Sequence, residues 1–340
     1  MSQWGKRAAV LVVVCAAVVV AVVGGRMVVG DDRAASTDET GRADNGWRWE
    51  SYQSIEVQVP ADWSYGVTGS PPCRVDKPRP PYVGRPGGVR GVGCRDPYPP
   101  LAVRASYLWF GARRGPAAVQ GTATGARMPG VRAPDHGWVE ETRLLDGLNV
   151  TVFSDDEALR QRILNSARLI DGADANGCTP NHPLADHPQG GPTSAEGLAS
   201  IGVVESIAVC KYAIAVRPEQ HEYAARRRAA LIASSTMSGD PAQAFVAAIA
   251  RAPVGSGPDS PDCIDDYGSE IIVLKVRGSE RNQEVLIRYD GCRFNGIHDG
   301  VTLRHLTAEV LRPLLVGVHR PSHYTGPVGD LVLGPRPKKG

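Results

Sequence analysis

Apolar residues form one long run near the start of the chain, at positions 8–25. Eighteen residues at about 1.5 Å each extend about 27 Å as a helix, which is close to the ~30 Å apolar thickness of a bilayer. Lys6 and Arg7 precede the run, so its first end is positively charged. The pattern predicts a single transmembrane helix at residues 8–30, with a cytoplasmic tail at residues 1–7.

Two other interpretations of this apolar run stay open. A cleaved signal peptide would have the same charged start, but its apolar region usually spans only about 7–15 residues. A lipid-modified Cys15 would need a small residue before it, whereas Val14 stands there. We therefore expect a single-pass protein of the cell membrane that contacts the bilayer through this helix.

Six cysteines follow the apolar run, and an even number of cysteines is typical of a disulfide-bonded exported protein. Neighbouring cysteines are about twenty to thirty residues apart within each pair, so pairing in sequence order is the simplest of many possible connectivities. Because disulfides persist in oxidising compartments, we expect the bulk of the chain outside the cytoplasm. The predicted bonds are Cys73–Cys94, Cys178–Cys210 and Cys263–Cys292.

Strand and helix patterns begin after the polar segment that follows the apolar run. Alternating apolar and polar residues at 54–63 predict a half-buried strand. Asp146-Gly147 separates two further strand patterns and favours a tight hairpin turn. Ser154 and Glu157 then form a capping box, which predicts a helix of about fifteen residues.

A second group of patterns occupies the C-terminal half of the chain. Its predicted elements are strands at 203–216 and 231–235, a helix that starts at Asp240-Pro241, a hairpin of strands at 271–276 and 284–289, and a last helix that Thr307 caps and Pro313 shortens.

These patterns predict an α+β fold. In it, the N-terminal transmembrane helix is followed by two small extracytoplasmic domains, each an antiparallel sheet with packed helices. The predicted parts after the anchor are a flexible stalk at 31–45, a first domain at 46–171, a linker loop at 172–200, a second domain at 201–316 and a disordered tail at 317–340.

Residues 47–171 resemble the Mog1/PsbP-like α/β/α sandwich, through the turn Val59-Pro60-Ala61-Asp62-Trp63 and the helical stretch Ile163-Leu164-Asn165-Ser166. The resemblance covers about a third of the chain and implies a binding or assembly module without a shared active site. From residue 231 onward the chain resembles uncharacterised exported proteins of high-GC Gram-positive bacteria, in LIASSTMSGDPAQAF, YDGCRFNGIHDG and RHLTAEVLRPLL. That second resemblance implies no activity.

Composition and motifs argue against several classes of function. The chain has 38 Lys and Arg residues against 36 Asp and Glu, a net charge of +2, so no nucleic-acid partner is predicted. The motifs of serine hydrolases, zinc proteases, phosphate-binding loops and calcium loops are missing from it. Cys178, His182, His187 and Cys210 could bind a metal, but they lack the closely spaced cysteine pair of structural zinc sites. No cofactor is predicted.

The densest group of titratable residues surrounds Cys292. Any ligand site is expected there, although Asp-Gly pairs in this segment are also ordinary turn sequences. Trp47, Trp49 and Trp63 could form a carbohydrate platform, but such residues are more often core. The candidate ligand-binding residues are Asp290, Arg293, His298, Asp299, Arg304 and His305.

Two hypotheses on function follow. The first is a non-catalytic binding or assembly module of the cell envelope, whose partner is an envelope protein or a wall polymer. The alternative is an envelope hydrolase with its site at residues 290–305. That alternative requires a histidine of the segment to lie within hydrogen-bond reach of Asp290 or Asp299.

Overall fold

Three β-sheets make up most of the described structure, and the described residues belong to one compact unit. The computed structural model describes residues 42–43, 46–66, 71–73, 75–86, 98–112, 129–187, 189–194, 196–214, 230–260, 268–321 and 326–334.

Sixteen strands and five α-helices lie in these residues. The strands are β1 (Arg42–Ala43), β2 (Trp47–Tyr52), β3 (Ile55–Pro60), β4 (Ser64–Tyr65), β5 (Tyr82–Gly84), β6 (Tyr107–Ala112), β7 (Gly130–Val131), β8 (Val139–Leu145), β9 (Leu148–Ser154), β10 (Arg168–Leu169), β11 (Val204–Ala213), β12 (Leu231–Ser238), β13 (Glu270–Gly278), β14 (Asn282–Arg288), β15 (Gly296–His298) and β16 (Leu303–Arg304). The helices are α1 (Glu157–Ser166), α2 (Pro183–Asp186), α3 (Gly239–Arg251), α4 (Ala308–Leu314) and α5 (Gly326–Leu333), with 3-10 turns at Leu101–Val103, Leu198–Ser200 and Gly317–His319.

Two sheets in the first half of the chain share one apolar core. The small sheet has the strand order β1-β2-β3-β10, and all its pairs are antiparallel. The mixed sheet has the order β4-β5-β6-β9-β8-β7, in which β4-β5 and β5-β6 are parallel. β3 points Ile55, Val57 and Val59 into the core, as its alternating pattern predicts, and α1 adds Ile163 and Leu164.

Local sequence signals form the β8–β9 hairpin and start α1. Asp146 and Gly147 have φ of 48° and 75°, the positive values that a type I′ turn requires, so the predicted hairpin is confirmed. Asp156 caps α1 by accepting a backbone hydrogen bond at 2.9 Å, whereas Ser154, predicted as the cap, ends β9. The helix has ten residues instead of about fifteen, because the chain after Ser166 turns into β10.

The C-terminal sheet is antiparallel, with the order β12-β11-β13-β14-β15-β16. One face packs against α3, α4 and α5, with Phe245 and Ile249 of α3 in the core, as predicted. α3 begins at Gly239, next to the predicted start. Thr307 caps α4, since its Oγ1 accepts a backbone hydrogen bond at 3.3 Å, and Pro313 lies inside this short helix.

We call the described residues of 172–200, predicted to be a linker, the strap. Its Cys178, Leu184 and Ala185 pack on the opposite face of the C-terminal sheet, and its Leu198 joins the core on the helix-covered face. Cys178 of the strap forms the predicted disulfide with Cys210 of β11, and both side chains are buried. A disulfide that closes a loop of 32 residues stabilises a fold by about 3–4 kcal/mol in the chain-entropy model. The strap is therefore a fixed layer of the structure.

Two further cysteines, Cys73 and Cys292, are disulfide-bonded. The partners predicted for them, Cys94 and Cys263, lie outside the described residues. Those two pairings therefore stay predictions.

The predicted fold class is wrong. The structure is mostly sheet, in three sheets of which one is mixed, with few helices, and it does not divide into two antiparallel-sheet domains behind a transmembrane helix. Within the described ranges, no helix is long and apolar enough to cross a bilayer. The tail and anchor predicted at 1–7 and 8–30 lie outside those ranges. The predicted stalk at 31–45 includes strand β1, and the predicted disordered tail at 317–340 includes helix α5.

Candidate functional site

The segment with the most titratable residues runs through β15 and β16 at the far edge of the C-terminal sheet, and we call residues 290–305 the polar segment. Its candidate residues differ in exposure. Arg293 is exposed, Asp299 is buried, and the side chains of Asp290, His298, Arg304 and His305 are partly buried.

Both carboxylates of the polar segment accept hydrogen bonds from nearby residues. Asp290 Oδ2 accepts from the backbone N–H and the hydroxyl of Ser269, each at 2.7 Å, and burial raises the pKa of Asp290. Asp299 Oδ1 accepts from the amides of Val301 and Thr302 at 3.0 and 2.6 Å. Its Oδ2 accepts from the amide of Leu198 at 3.2 Å. The bonds from Val301 and Thr302 are the local turn role that Asp-Gly sequences favour, whereas Ser269 and Leu198 are distant in sequence.

The balance of burial and hydrogen bonds fixes the charge of Asp299. Burial on its own would raise the pKa of this carboxyl group, but the amides of Thr302, Val301 and Leu198 outweigh it and lower the pKa from 3.8. Asp299 is therefore an ionised acceptor that joins the strap to the polar segment.

The histidines of the polar segment do not pair with its carboxylates. His298 Nδ1 accepts from the amide of Gly300 at 2.9 Å, and burial followed by the nearby Arg288 lowers the pKa of His298. The ring of His305 packs against Gly255, where an added Cβ would lie 2.9 Å from it. Neither imidazole hydrogen-bonds to Asp290 or Asp299, so the arrangement that the hydrolase hypothesis required is not formed.

Polar residues of the sheet hold the strap in place. Lys275 Nζ donates to the carbonyl of Gly177 at 3.1 Å, and Arg288 donates to the carbonyl of Gly190. His182 Nε2 lies 3.1 Å from Glu284 Oε1, and this hydrogen bond lowers the pKa of Glu284. Cys178 and Cys210 are bonded to each other, so neither is a thiolate ligand of the metal site considered above.

Two of the three tryptophans considered as a carbohydrate platform are core residues. Trp47 and Trp63 are buried in the core that the small and mixed sheets share. Trp49 is partly buried, and the guanidinium of Arg168 lies 4.1 Å from its ring centre. The three rings therefore do not form a platform.

Charged side chains from distant parts of the chain meet where β2 approaches β12, and sequence analysis did not identify them. At this junction, the amide of Gln53 donates to the carbonyl of Leu231 at 2.6 Å. We call the group the seam. Its members are Glu50, Arg85, Lys211, Ser235, Glu270 and His319.

Each charged residue of the seam has a partner of opposite charge. Glu50, 1% exposed, lies 2.5 Å from Arg85 and 2.6 Å from Arg48. Burial on its own would raise the pKa of Glu50, but the two guanidiniums outweigh it and lower the pKa from 4.5. Lys211, also 1% exposed, lies 2.6 Å from Glu270.

The seam also contains a serine and a histidine in contact. Ser235 Oγ lies 2.8 Å from Nε2 of His319, which is 3% exposed. A general base must hold a proton during the reaction, and a nearby carboxylate normally stabilises the imidazolium. Here the charged neighbours that act on His319 are the cations Lys211 and Arg85, which oppose protonation. The pair is therefore poorly suited to nucleophilic catalysis.

An aromatic cluster covers the other face of the mixed sheet. Phe153 of β9 is its centre, and the rings of Tyr98, Tyr107 and Trp138 stack on it with centroid distances of 4.7, 5.2 and 5.0 Å. Phe153 and Tyr107 are buried, whereas Tyr98 and Trp138 are partly exposed. The cluster thus presents two rings, held from beneath, at the surface.

A rigid turn stands beside these two rings. Asp135 and Trp138 exchange both backbone hydrogen bonds, at 2.9 and 3.1 Å, around His136 and Gly137, which have φ of 54° and 84°. Arg104 donates to the backbone carbonyl of Asp135 at 3.0 Å and to its carboxylate. This carboxylate bond, followed by the one with His136, lowers the pKa of Asp135.

We call the resulting surface the aromatic rim. Arg132, half exposed, completes it, with its guanidinium 5.9 Å from the centre of the Tyr98 ring. Leu101 and Val131, neighbours of the rim in sequence, are large exposed apolar residues. The members of the rim are Tyr98, Arg132, Asp135, His136 and Trp138.

No protein-family model, curated protein or solved structure matches this chain. The similarity of residues 47–171 to the Mog1/PsbP-like sandwich, and that of the later segments to exported proteins, therefore stay predictions. The short sequence Asp135-His136-Gly137-Trp138 is the one local signal that could have pointed to the rim, because Gly beside a polar residue favours a tight turn.

Proposed function

We propose that this chain is an exported, non-catalytic binding module of the cell envelope, and that its aromatic rim binds a partner protein. The rim carries the proposal. Its composition of Trp, Tyr and Arg is the one enriched among the residues that dominate the binding energy of protein interfaces.

Rigidity is the second support for this proposal. Stacking on Phe153 holds Tyr98 and Trp138 from beneath, and the Asp135–Trp138 hydrogen bonds fix the turn that carries His136. A surface that is already ordered loses little conformational entropy when a partner binds. The side chain of His136 is 68% exposed at the tip of this turn, where a partner can reach it.

The polar segment supports a non-catalytic role. Its two carboxylates are occupied by backbone amides and by the Ser269 hydroxyl, and neither of its histidines hydrogen-bonds to them. The buried Cys178–Cys210 disulfide supports export, because such bonds persist in oxidising compartments.

Site-specific photo-crosslinking in the native host tests the proposal. A photoreactive residue is placed at His136, and the matched control places it at Val203, an exposed residue that is not part of the rim. A protein partner gives one adduct of defined mass from position 136 and none from position 203. The adduct should weaken at least about tenfold in the Trp138→Ala and Arg132→Ala variants, since hot-spot residues contribute about 2 kcal/mol or more.

Three outcomes would contradict the proposal. Equal adducts from both positions would indicate unspecific contact. The absence of any adduct from position 136 would show that the rim is not a binding surface. A ladder of masses that a glycan hydrolase collapses would assign the rim to a wall polymer instead of a protein. Export is tested separately, by non-reducing peptide mapping for the Cys178–Cys210 bond in protein from the native host.

A further inference from the structure

The 3-10 turn Gly317–His319 lies between two of the three sheets. His319 contacts Ser235 of β12, the edge strand of the C-terminal sheet. Gly317, with φ of 54°, lies so close to Tyr65 of β4 that an added Cβ would be 3.2 Å from its ring. β4 is the edge strand of the mixed sheet, so this one turn joins the two sheet edges.

The imidazole of His319 is buried with one hydrogen-bond partner. Nε2 lies 2.8 Å from Ser235 Oγ, while Nδ1 is buried and has no hydrogen-bond partner in the described structure. The neutral ring tolerates this position because only one of its two nitrogens, Nδ1, is left without a hydrogen bond. A protonated ring would carry two N–H donors and a full charge in the same place.

The charged groups that face His319 are cations. They are Lys211 from β11 and Arg85 from the segment after β5. Their carboxylate partners are already engaged, Glu270 with Lys211 at 2.6 Å and Glu50 with Arg85 at 2.5 Å. From the remaining elements, Ser235 of β12 and Tyr65 of β4 face the turn with a neutral hydroxyl and a neutral ring. Among the described residues no carboxylate hydrogen-bonds to the imidazole.

We propose that this junction is an acid-responsive contact, in which protonation of His319 releases the Gly317–His319 turn from β12 and β4 and opens the seam. The added charge would lie unpaired between Lys211 and Arg85, and the ring can reach water only if the turn moves out. The inference does not depend on the aromatic rim or on the identity of a partner.

The direction of the pH effect follows from the same contacts. Burial, then Lys211, then Arg85 lower the pKa of His319 well below 6.5. A histidine whose pKa is lower in the folded than in the unfolded protein stabilises the folded protein at pH values above 6.5. This stabilisation is lost as the pH falls below 6.5. The closed junction therefore binds fewer protons than the open one throughout that range.

Two carboxyl groups respond to acid differently from His319. Because the pKa of Glu50 is lowered from 4.5, loss of its ion pair begins only at lower pH. The pKa of Asp290 is raised from 3.8, so its protonation favours the folded state. His298, whose pKa is also lowered from 6.5, titrates in this range with the same sign, so the His319→Gln variant is needed to isolate the contribution of His319.

Hydrogen exchange on the full, disulfide-bonded chain tests the proposal. The informative amides are those of His319, bonded to the carbonyl of Val316, and of Gly66, bonded to the carbonyl of Val83 beside β4. After correction for intrinsic rates, protection of the His319 amide should fall about tenfold per pH unit below pH 6.5, because one proton is taken up on opening. The His319→Gln variant should lose this pH dependence, and His187→Gln, which removes an exposed histidine, should keep it.

Two results would overturn the proposal: protection of the His319 amide that does not change with pH, or the same acid response in His319→Gln. Should that variant fail to fold, NMR titration of the His319 ring in the unaltered chain decides the question. A ring that titrates well below pH 6.5, with simultaneous shifts at Ser235 and Tyr65, supports the proposal. A ring that titrates at or above pH 6.5 while the junction stays protected refutes it.

Discussion

The polar segment and the seam contain the same kinds of side chain, but they satisfy them with different partners. In the polar segment, Asp290 and Asp299 accept hydrogen bonds from residues close to a turn or a strand end. In the seam, Glu50 pairs with Arg85, 35 positions away, and Lys211 of β11 pairs with Glu270 of β13. The polar segment therefore satisfies its carboxylates with backbone amides and a hydroxyl, whereas the seam satisfies its charges with ions that the packing of sheets brings together.

The two regions should respond differently to substitution. A carboxylate that accepts from backbone amides can be replaced by another acceptor, whose oxygen satisfies the same donors. A carboxylate buried between two guanidiniums has no such substitute, because its loss leaves uncompensated charge away from solvent. The size of the destabilisation therefore distinguishes the two regions.

The largest effect is expected for Glu50→Gln in the seam. The variant leaves Arg85, 5% exposed, and Arg48 without their shared carboxylate, so the free energy of unfolding should fall by about 3–5 kcal/mol. Urea unfolding at neutral pH measures this. Because the pKa of Glu50 is lowered from 4.5, the wild-type protein should lose the same stabilisation as the pH falls below 4.5.

A surface ion pair is the matched control for this variant. Arg251 and Glu309 are paired with both side chains more than half exposed, and Glu309→Gln should change stability by less than about 0.5 kcal/mol. If the two glutamate variants lose the same stability, the seam is not the special environment described above.

Sequence patterns predicted the elements whose signals are local. The hairpin at Asp146-Gly147, the buried face of α3 and the cap at Thr307 depend on residues within a few positions of one another, and all three are present. The fold class failed because the parallel pairs involve Ser64–Tyr65 and Tyr82–Gly84, strands too short to show an alternating pattern.

The candidate site could not be predicted for a similar reason. Glu50 and Arg85 are separated by 35 positions, and Ser235 and His319 by 84, with no motif that relates them. The strap was predicted to be a linker because its sequence is rich in Pro, Gly and Asn, and the apolar residues that fix it, such as Leu184 and Cys178, are few. Burial of charge depends on how sheets pack, which periodicity does not encode.

An intermediate effect is expected for Asp299→Ala in the polar segment. The variant removes an ionised acceptor of three backbone amides, so the free energy of unfolding should fall by about 2 kcal/mol. Asp299→Asn should lose less, because one acceptor oxygen remains. Urea unfolding measures both, and faster exchange of the Leu198 amide should show that the strap has loosened.

The pH dependence of this effect has a defined sign. The pKa of Asp299 is lowered from 3.8, so its contribution is present above pH 3.8 and is lost as the pH falls through the lower value in the folded state. The difference between wild type and Asp299→Ala should therefore shrink in acid. A difference that grows in acid would contradict the assignment of Asp299 as an ionised acceptor.

The smallest effect, and the closest test of the comparison, is expected for Asp290→Asn. An asparagine oxygen can still accept hydrogen bonds from the amide and the hydroxyl of Ser269. In the wild-type protein each of these donors lies 2.7 Å from Asp290 Oδ2. Burial raises the pKa of Asp290, so its ionised form is disfavoured in the folded protein, and Asn should leave stability unchanged or raise it by less than about 1 kcal/mol.

The gain from Asp290→Asn should disappear as the pH falls toward 3.8, because a carboxyl group with a raised pKa stabilises the folded state only while it is protonated. A loss of more than about 2 kcal/mol in urea unfolding at neutral pH would mean that the charge of Asp290 is needed, as charges are in the seam, and the distinction between the two regions would fail.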